Sequence, residues 1–274
     1  MGSTNKRRVN GSNRKTLKNK KQSIVVLAND KSAGHGVVPK YEIKDNPAFA
    51  RVIFELSKGQ TIYSNAGMMS YMDKSIEVKT ETGGFFKGLK RALFTKASLF
   101  LTAYTGKENR ALICFANHLP GDITGIEVKP GDKYIISSQG VVCMTSNVVF
   151  DTKFQFKGLF VGNNMFLAEV SVPITSKEGG IVWMASYGGI QKLHLPAGET
   201  LSVAHGMYLC SHADIPYTIG TVGSGTNMIL SGQGFIMNFT GPCSIYTQGR
   251  DLHEFTRFIR KIAESTQNQN RINY

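Results

Sequence analysis

From about residue 49 to residue 249 the chain alternates apolar and polar positions in short runs, and each run stops at Gly, Pro, Asn or Asp. Ile123 to Lys129 ends at Pro130-Gly131, and Gln191 to Leu195 ends at Pro196-Ala197-Gly198, so both read as short strands closed by turns. The period changes near the C-terminus, where Leu252, Phe255, Phe258, Ile259 and Ile262 recur at helical spacing behind Asp251, with Glu254 three residues on as in a capping pair. Arg257, Arg260 and Lys261 fall toward its end, where the helix dipole favours cations. A short amphipathic helix is therefore predicted over 250–264, capping an open end of the β-body or a neighbouring subunit, with a polar tail over 265–274.

The strand pattern recurs. Gly59 to Met69 (GQTIYSNAGMM), Gly131 to Cys143 (GDKYIISSQGVVC) and Gly198 to Cys210 (GETLSVAHGMYLC) each open on a turn Gly, run through a short alternating strand and meet a second Gly before apolar residues resume. A second element follows as Leu99 to Thr102, Met165 to Ala168 and Met228 to Ser231. A third reads GDITGIEVKPG from Gly121, GGIQKLHLPAG from Gly188 and GPCSIYTQG from Gly241. Three elements in the same order predict three related β units, near 49–120, 121–187 and 188–249, each too long for one rung of a solenoid. Gly140 and Gly206, at mid-strand, predict a bulge or a corner where the chain switches sheets. The expected fold is an all-β sandwich of three repeated units, preceded by a lead-in over 23–48.

Composition sharpens this picture. With 274 residues and 29 glycines the chain can bury a sizeable core while turning often. Its formal charge of +13 is lopsided, because Lys6, Arg7, Arg8, Arg14, Lys15, Lys18, Lys20 and Lys21 crowd residues 1–22 without an acid and leave +5 for the rest. So basic and so poor in apolar side chains, the arm is expected to be disordered on its own and to suit nucleic-acid phosphates or an anionic membrane surface. Neither a signal peptide nor a transmembrane stretch is legible. Cys114, Cys143, Cys210 and Cys243 form no CxxC pair; all four read as small buried hydrophobes of an intracellular, reducing compartment, with Cys143 and Cys210 at the same place in their units.

The run GGFFKGLKRALFTKASLFLTAYTG from Gly83 to Gly106, with the turns at Gly131, Gly198 and Gly188-Gly189, resembles the mitochondrial-biogenesis "altered inheritance of mitochondria" family over about Phe49 to Gly249. Gly88 to Leu93, followed by Ser98 to Thr102, is its most specific piece, and the basic arm and the helix lie outside the shared core. The resemblance implies a double-stranded β-helix similar in fold to the tryptophan RNA-binding attenuation protein, subunits that associate, a mitochondrial setting, and no established activity or cofactor.

Chemistry-bearing residues do not converge in the sequence. His194, His205 and His212 lack the spacing of a cupin site, Cys114 and His118 are four apart in a strand-and-turn context, and Gly223-Ser224-Gly225 lacks the outer glycines of a nucleophile elbow. No catalytic residue, metal or cofactor is expected. The segment from Phe85 to Phe94 is the candidate contact surface: Phe85, Phe86, Leu89, Leu93 and Phe94 alternate with Lys87, Lys90 and Arg91, a composition suited to a neighbouring subunit or a membrane interface. The function expected is a non-catalytic homo-oligomeric scaffold, with a trimer as the preferred state. Nucleic-acid binding through the arm and the β surface is the alternative, and a small-molecule-binding β-barrel the second. If the arm binds nucleic acid, a filter-binding titration should show affinity that falls steeply with salt and is lost on deletion of residues 1–22.

Overall fold

The computed structural model describes residues 36–80, 101–151, 167–221 and 235–272. Strands β1 (Lys40–Lys44), β2 (Arg51–Leu56), β3 (Thr61–Asn65), β4 (Met69–Met72), β5 (Ile76–Thr80), β6 (Leu101–Gly106) and β7 (Ala111–Ala116) come first. Next are β8 (Ile123–Val128), β9 (Lys133–Ser137), β10 (Val141–Thr145), β11 (Val149–Asp151), β12 (Leu167–Ser171) and β13 (Gly180–Ala185). Strands β14 (Ile190–Leu195), β15 (Thr200–Ala204), β16 (Tyr208–His212), β17 (Tyr217–Thr221), β18 (Phe235–Thr240) and β19 (Cys243–Gln248) precede helix α1 (Leu252–Ile272). The described residues are all-β with this one α-helix.

The strands form antiparallel sheets in the orders β1-β2-β7-β4, β5-β6-β3-β10-β13-β8, β11-β12-β9-β16-β19-β14 and β15-β18-β17. Both six-stranded sheets are composite. In the first, β5, β6 and β3 meet β10, β13 and β8 across the β3·β10 ladder; in the second, β11, β12 and β9 meet β16, β19 and β14 across the β9·β16 ladder.

Apolar side chains stack these sheets face to face. Val52, Phe54 and Phe115 of the four-stranded sheet pack against Ile62, Tyr104, Ile181 and Trp183 of the first six-stranded sheet. That sheet's opposite face, through Ile126, Met144, Val182 and Met184, packs against Ile136, Val170 and Cys210 of the second. Ile135, Tyr208 and Ile245 then meet Val203, Met237 and Phe239 of the three-stranded sheet. An inner sheet covered on both faces favours apolar side chains, and a polar one there needs a hydrogen-bond partner, as Thr145 Oγ1 finds in the Ile181 backbone N–H. Every residue of β10 and of β13 is accordingly buried, and successive side chains of β13 feed alternate cores. Trp183, the single tryptophan, lies edge-on to Phe54 at 4.7 Å and to Tyr41 at 5.0 Å between ring centroids, an arrangement that favours ring quadrupoles.

The opening glycines keep their expected role: Gly59, Gly131 and Gly198 stand just before β3, β9 and β15 with φ of +86°, +90° and +83°, where a Cβ would be strained. Gly140 and Gly206 make corners. Each lies in a 3-10 turn, Ser138–Gly140 or His205–Met207, at which the chain leaves one sheet for the next. The bulges lie just beyond, between Val141 and Cys143 and between Tyr208 and Cys210. Two expected correspondences shift. The strand in the place given to Met228–Ser231, a segment outside the described residues, is β18, whose Met237 faces Val203 as Ala168 faces Ile136. The GPCSIYTQG segment forms β19, which pairs with β14 rather than matching it. The helix also differs from its predicted bounds, running through the expected polar tail to Ile272. Its first turn touches the body through Phe255 against Tyr187, with ring centroids 5.5 Å apart, while Phe258, Ile259 and Ile262 stay exposed, so it does not cap the sheets.

Close backbone approach makes Gly121 indispensable: a Cβ there would overlap the Ser186 carbonyl oxygen, whereas a Cβ on Gly189 would meet nothing within 4 Å. Gly121→Ala should destabilise the fold by about 1–3 kcal/mol, the usual range for overpacking, and Gly189→Ala should be near neutral. Urea denaturation followed by Trp183 fluorescence checks the difference.

Candidate functional site

The two outer sheets end in strands that have a partner on one side only. Strand β10 lies between β3 and β13, and β16 between β9 and β19. Strand β4 takes the corresponding place beside β7, with its own bulge between Met69 and Tyr71, but among the described residues nothing pairs with its outer side. Met69, Tyr71 and Met72 are therefore 36%, 40% and 38% exposed, while their counterparts in β10 are buried. Partial burial and the neighbouring Cys114 raise the Tyr71 hydroxyl pKa above its ordinary value. At the other end, among the described residues, β15 pairs with β18 alone, leaving Thr200 and Ser202 exposed beside the buried Val203.

A cleft of about 510 Å³ separates the lead-in to β1 from strands β8 and β13 of the first six-stranded sheet and is lined by Val38–Tyr41, Glu127–Lys129 and Glu178–Ile181. It is pinned shut at one rim, where Val37 donates its backbone N–H to Glu178 Oε2 at 2.8 Å and Gln60 Nε2 donates to the Gly36 carbonyl. Lys40, Glu127, Lys129 and Glu178 give it mixed charge. Burial, and then Glu127, raise the Tyr41 pKa.

The histidines and cysteines are dispersed. His194 Nδ1 is 2.8 Å from Ser244 Oγ across the β14·β19 ladder, His205 Nδ1 is 3.2 Å from the Phe235 carbonyl oxygen, and His212 stands between Asp132 and Asp214 at 4.0 and 3.4 Å. Among the described residues no three His, Cys, Asp or Glu side chains form a group able to hold a metal. Cys114, Cys143 and Cys210 are buried; burial raises each thiol pKa, so these sulfurs are protonated at neutral pH. Cys114 sits against Tyr71, whereas His118 Nε2 lies over Gly67. Cys243 departs from the expectation of four buried thiols, being only partly buried.

Phe85, Phe86, Lys87, Leu89, Lys90, Arg91, Leu93 and Phe94 lie outside the described residues, as do Lys6, Arg7, Arg8, Arg14, Lys15, Lys18, Lys20, Lys21 and Gly223-Ser224-Gly225. Sequence reasoning passed over β4. Its signal was the uncharged run Met68–Met72 directly after Gly67, like the runs after Gly140 and Gly206 that form β10 and β16.

Comparison with known proteins adds a family. The profile described as mitochondrial biogenesis AIM24 matches residues 41–250. An uncharacterized protein of Streptococcus pyogenes serotype M6 is 22% identical over 237 residues, covering 84% of this chain and 93% of its own. A crystal structure of a Streptococcus pyogenes protein superposes with a TM-score of 0.66 at 20% identity, covering 82% of this chain and all of that one, and so shares its fold.

The thiol environments predict reactivity. A thiol reagent such as dithionitrobenzoate should modify Cys243 in the native protein, while Cys114, Cys143 and Cys210 should react only on unfolding, as a time course with and without denaturant will reveal.

Proposed function

The chain belongs to the mitochondrial-biogenesis AIM24 family, and from that premise we propose that it is a non-catalytic homo-oligomeric scaffold protein acting in mitochondria. We read β2–β7, β8–β13 and β14–β19 as three copies of one six-stranded unit, joined in the manner of a double-stranded β-helix. The observation that carries the proposal is the way one unit adds to the next: half of each six-stranded sheet comes from one unit and half from its successor. A chain that lengthens its sheets by adding edge to edge, and ends on an apolar edge strand, is suited to continue the addition with other copies of itself. In a reducing compartment its four cysteines would stay as thiols. None of the described helices is long and apolar enough to cross a membrane, so any membrane contact made by this helix would be peripheral.

Anion binding by the arm is the second reading, favoured by eight basic residues within the first 22. Size-exclusion chromatography with light scattering, recorded at nucleic-acid and protein wavelengths, separates the two. The scaffold reading expects a discrete multiple of the 30.1 kDa chain mass free of nucleic acid. A monomer at high concentration overturns it, and a species that carries nucleic acid favours the arm.

A further inference from the structure

Resting on the scaffold reading, we propose that the outer edge of β4 in one copy of this chain pairs with the outer edge of β15 in the next, head to tail and antiparallel, in the register that already joins units within the chain. Inside the chain that junction occurs twice. Cys143, Met144 and Thr145 of β10 face Ser64, Tyr63 and Ile62 of β3, and Cys210, Ser211 and His212 of β16 face Ile136, Ile135 and Tyr134 of β9.

Two internal landmarks carry the register to the free edges. The bulge sits at the same step in all three receiving strands, which aligns Tyr71 with Cys143 and Cys210. The opening glycine sits three residues before Ile62, Tyr134 and Leu201, which aligns β15 with β3 and β9. The third junction therefore sets Tyr71 opposite Val203 and Met72 opposite Ser202. The fused sheet runs β17-β18-β15·β4-β7-β2-β1, and its first six members repeat the order of both inner sheets.

Charge distinguishes these edges from most of the others. The edge strands β1, β5, β8, β11 and β14 each carry an ionised side chain or a histidine, whereas β4 (MSYM) and β15 (TLSVA) carry none. Charged side chains on an edge discourage pairing, and their absence leaves it open. Strand β17 is also uncharged, but its counterparts β5 and β11 remain edges inside the chain. The partner has to be a second copy, because β4 and β15 belong to the two outermost of four stacked sheets, roughly 30 Å apart at ~10 Å per layer. Such a contact is heterologous, and a ring closes it.

The test uses full-length protein carrying Met72→Cys and Ser202→Cys together, oxidised under mild conditions. Covalent oligomers on a non-reducing gel are expected from the double variant and from neither single variant nor wild type. Linked dimers from Met72→Cys alone would mean that β4 pairs with β4, which overturns the proposal. In parallel, Tyr71→Lys/Met72→Lys, on a strand exposed in the single chain, should keep its circular dichroism spectrum and weaken assembly by at least about tenfold, read as a lower mass on dilution. If wild type is a discrete oligomer whose mass survives these lysines and no cross-link forms, this contact is wrong while the scaffold reading stands. A monomeric wild type overturns both.

Discussion

Everything in the sheet stack depends on two backbone ladders, β3 with β10 and β9 with β16. Each joins a strand to one that follows it by about seventy-five to eighty positions, and each lies where both faces of its sheet are covered, so an unpaired N–H or C=O there would find no water. A buried backbone group without a partner costs about 1–3 kcal/mol, which makes the ladders a requirement for the layered core. Side chains close the gaps that the bulges open. Ser64 Oγ donates to the carbonyl of Val142 at 2.9 Å, and Tyr208 Oη donates to the carbonyl of Ile135 at 2.8 Å while lying 2.9 Å from Ser211 Oγ. Polar atoms thus enter the interior where the irregular backbone needs them, and the surrounding apolar residues pack without interruption.

Much of this was legible because turns and alternation are local. Gly59, Gly131 and Gly198 announce their strands, since a positive φ at the start of a strand selects glycine whatever the tertiary setting. The uncharged, largely apolar runs of β10 and β13 also match burial on both faces. The matching of short apolar stretches was less secure. Met228–Ser231 and Phe235–Thr240 are both uncharged and apolar-rich, and the alternation alone does not say which of them lies beside β15. Likewise β14 and β19 have similar patterns because they are cross-strand partners facing the same surroundings, so their likeness reflects pairing and not equivalence. The ends of the stack were invisible for another reason: whether MSYM is covered depends on what lies beside it, and that is set by the order of strands from distant parts of the chain.

The helix shows the same limit. Its apolar stripe predicts that something packs on it, and the body meets Phe255 through Tyr187 while Phe258, Ile259 and Ile262 stay exposed. The absence of Gly and Pro lets it run on through Thr266–Asn270, a segment whose polarity suggested a tail. Polarity governs where a residue sits relative to water, and conformation follows separately.

Within each group of strands the first pairs with the last: Arg51 faces Ala116, Ile123 faces Ala185, and Ile190 faces Gln248. During synthesis the chain meets this as a timing problem, since the closing mate of each opening strand leaves the ribosome about sixty residues later, and for β8 and β14 it is the one partner among the described residues. Long loops delay such contacts, and pairings distant in sequence form slowly. The nascent chain therefore carries β8 and β14 unmatched until β13 and β19 emerge, and the arrival of that last strand is the event that completes each group.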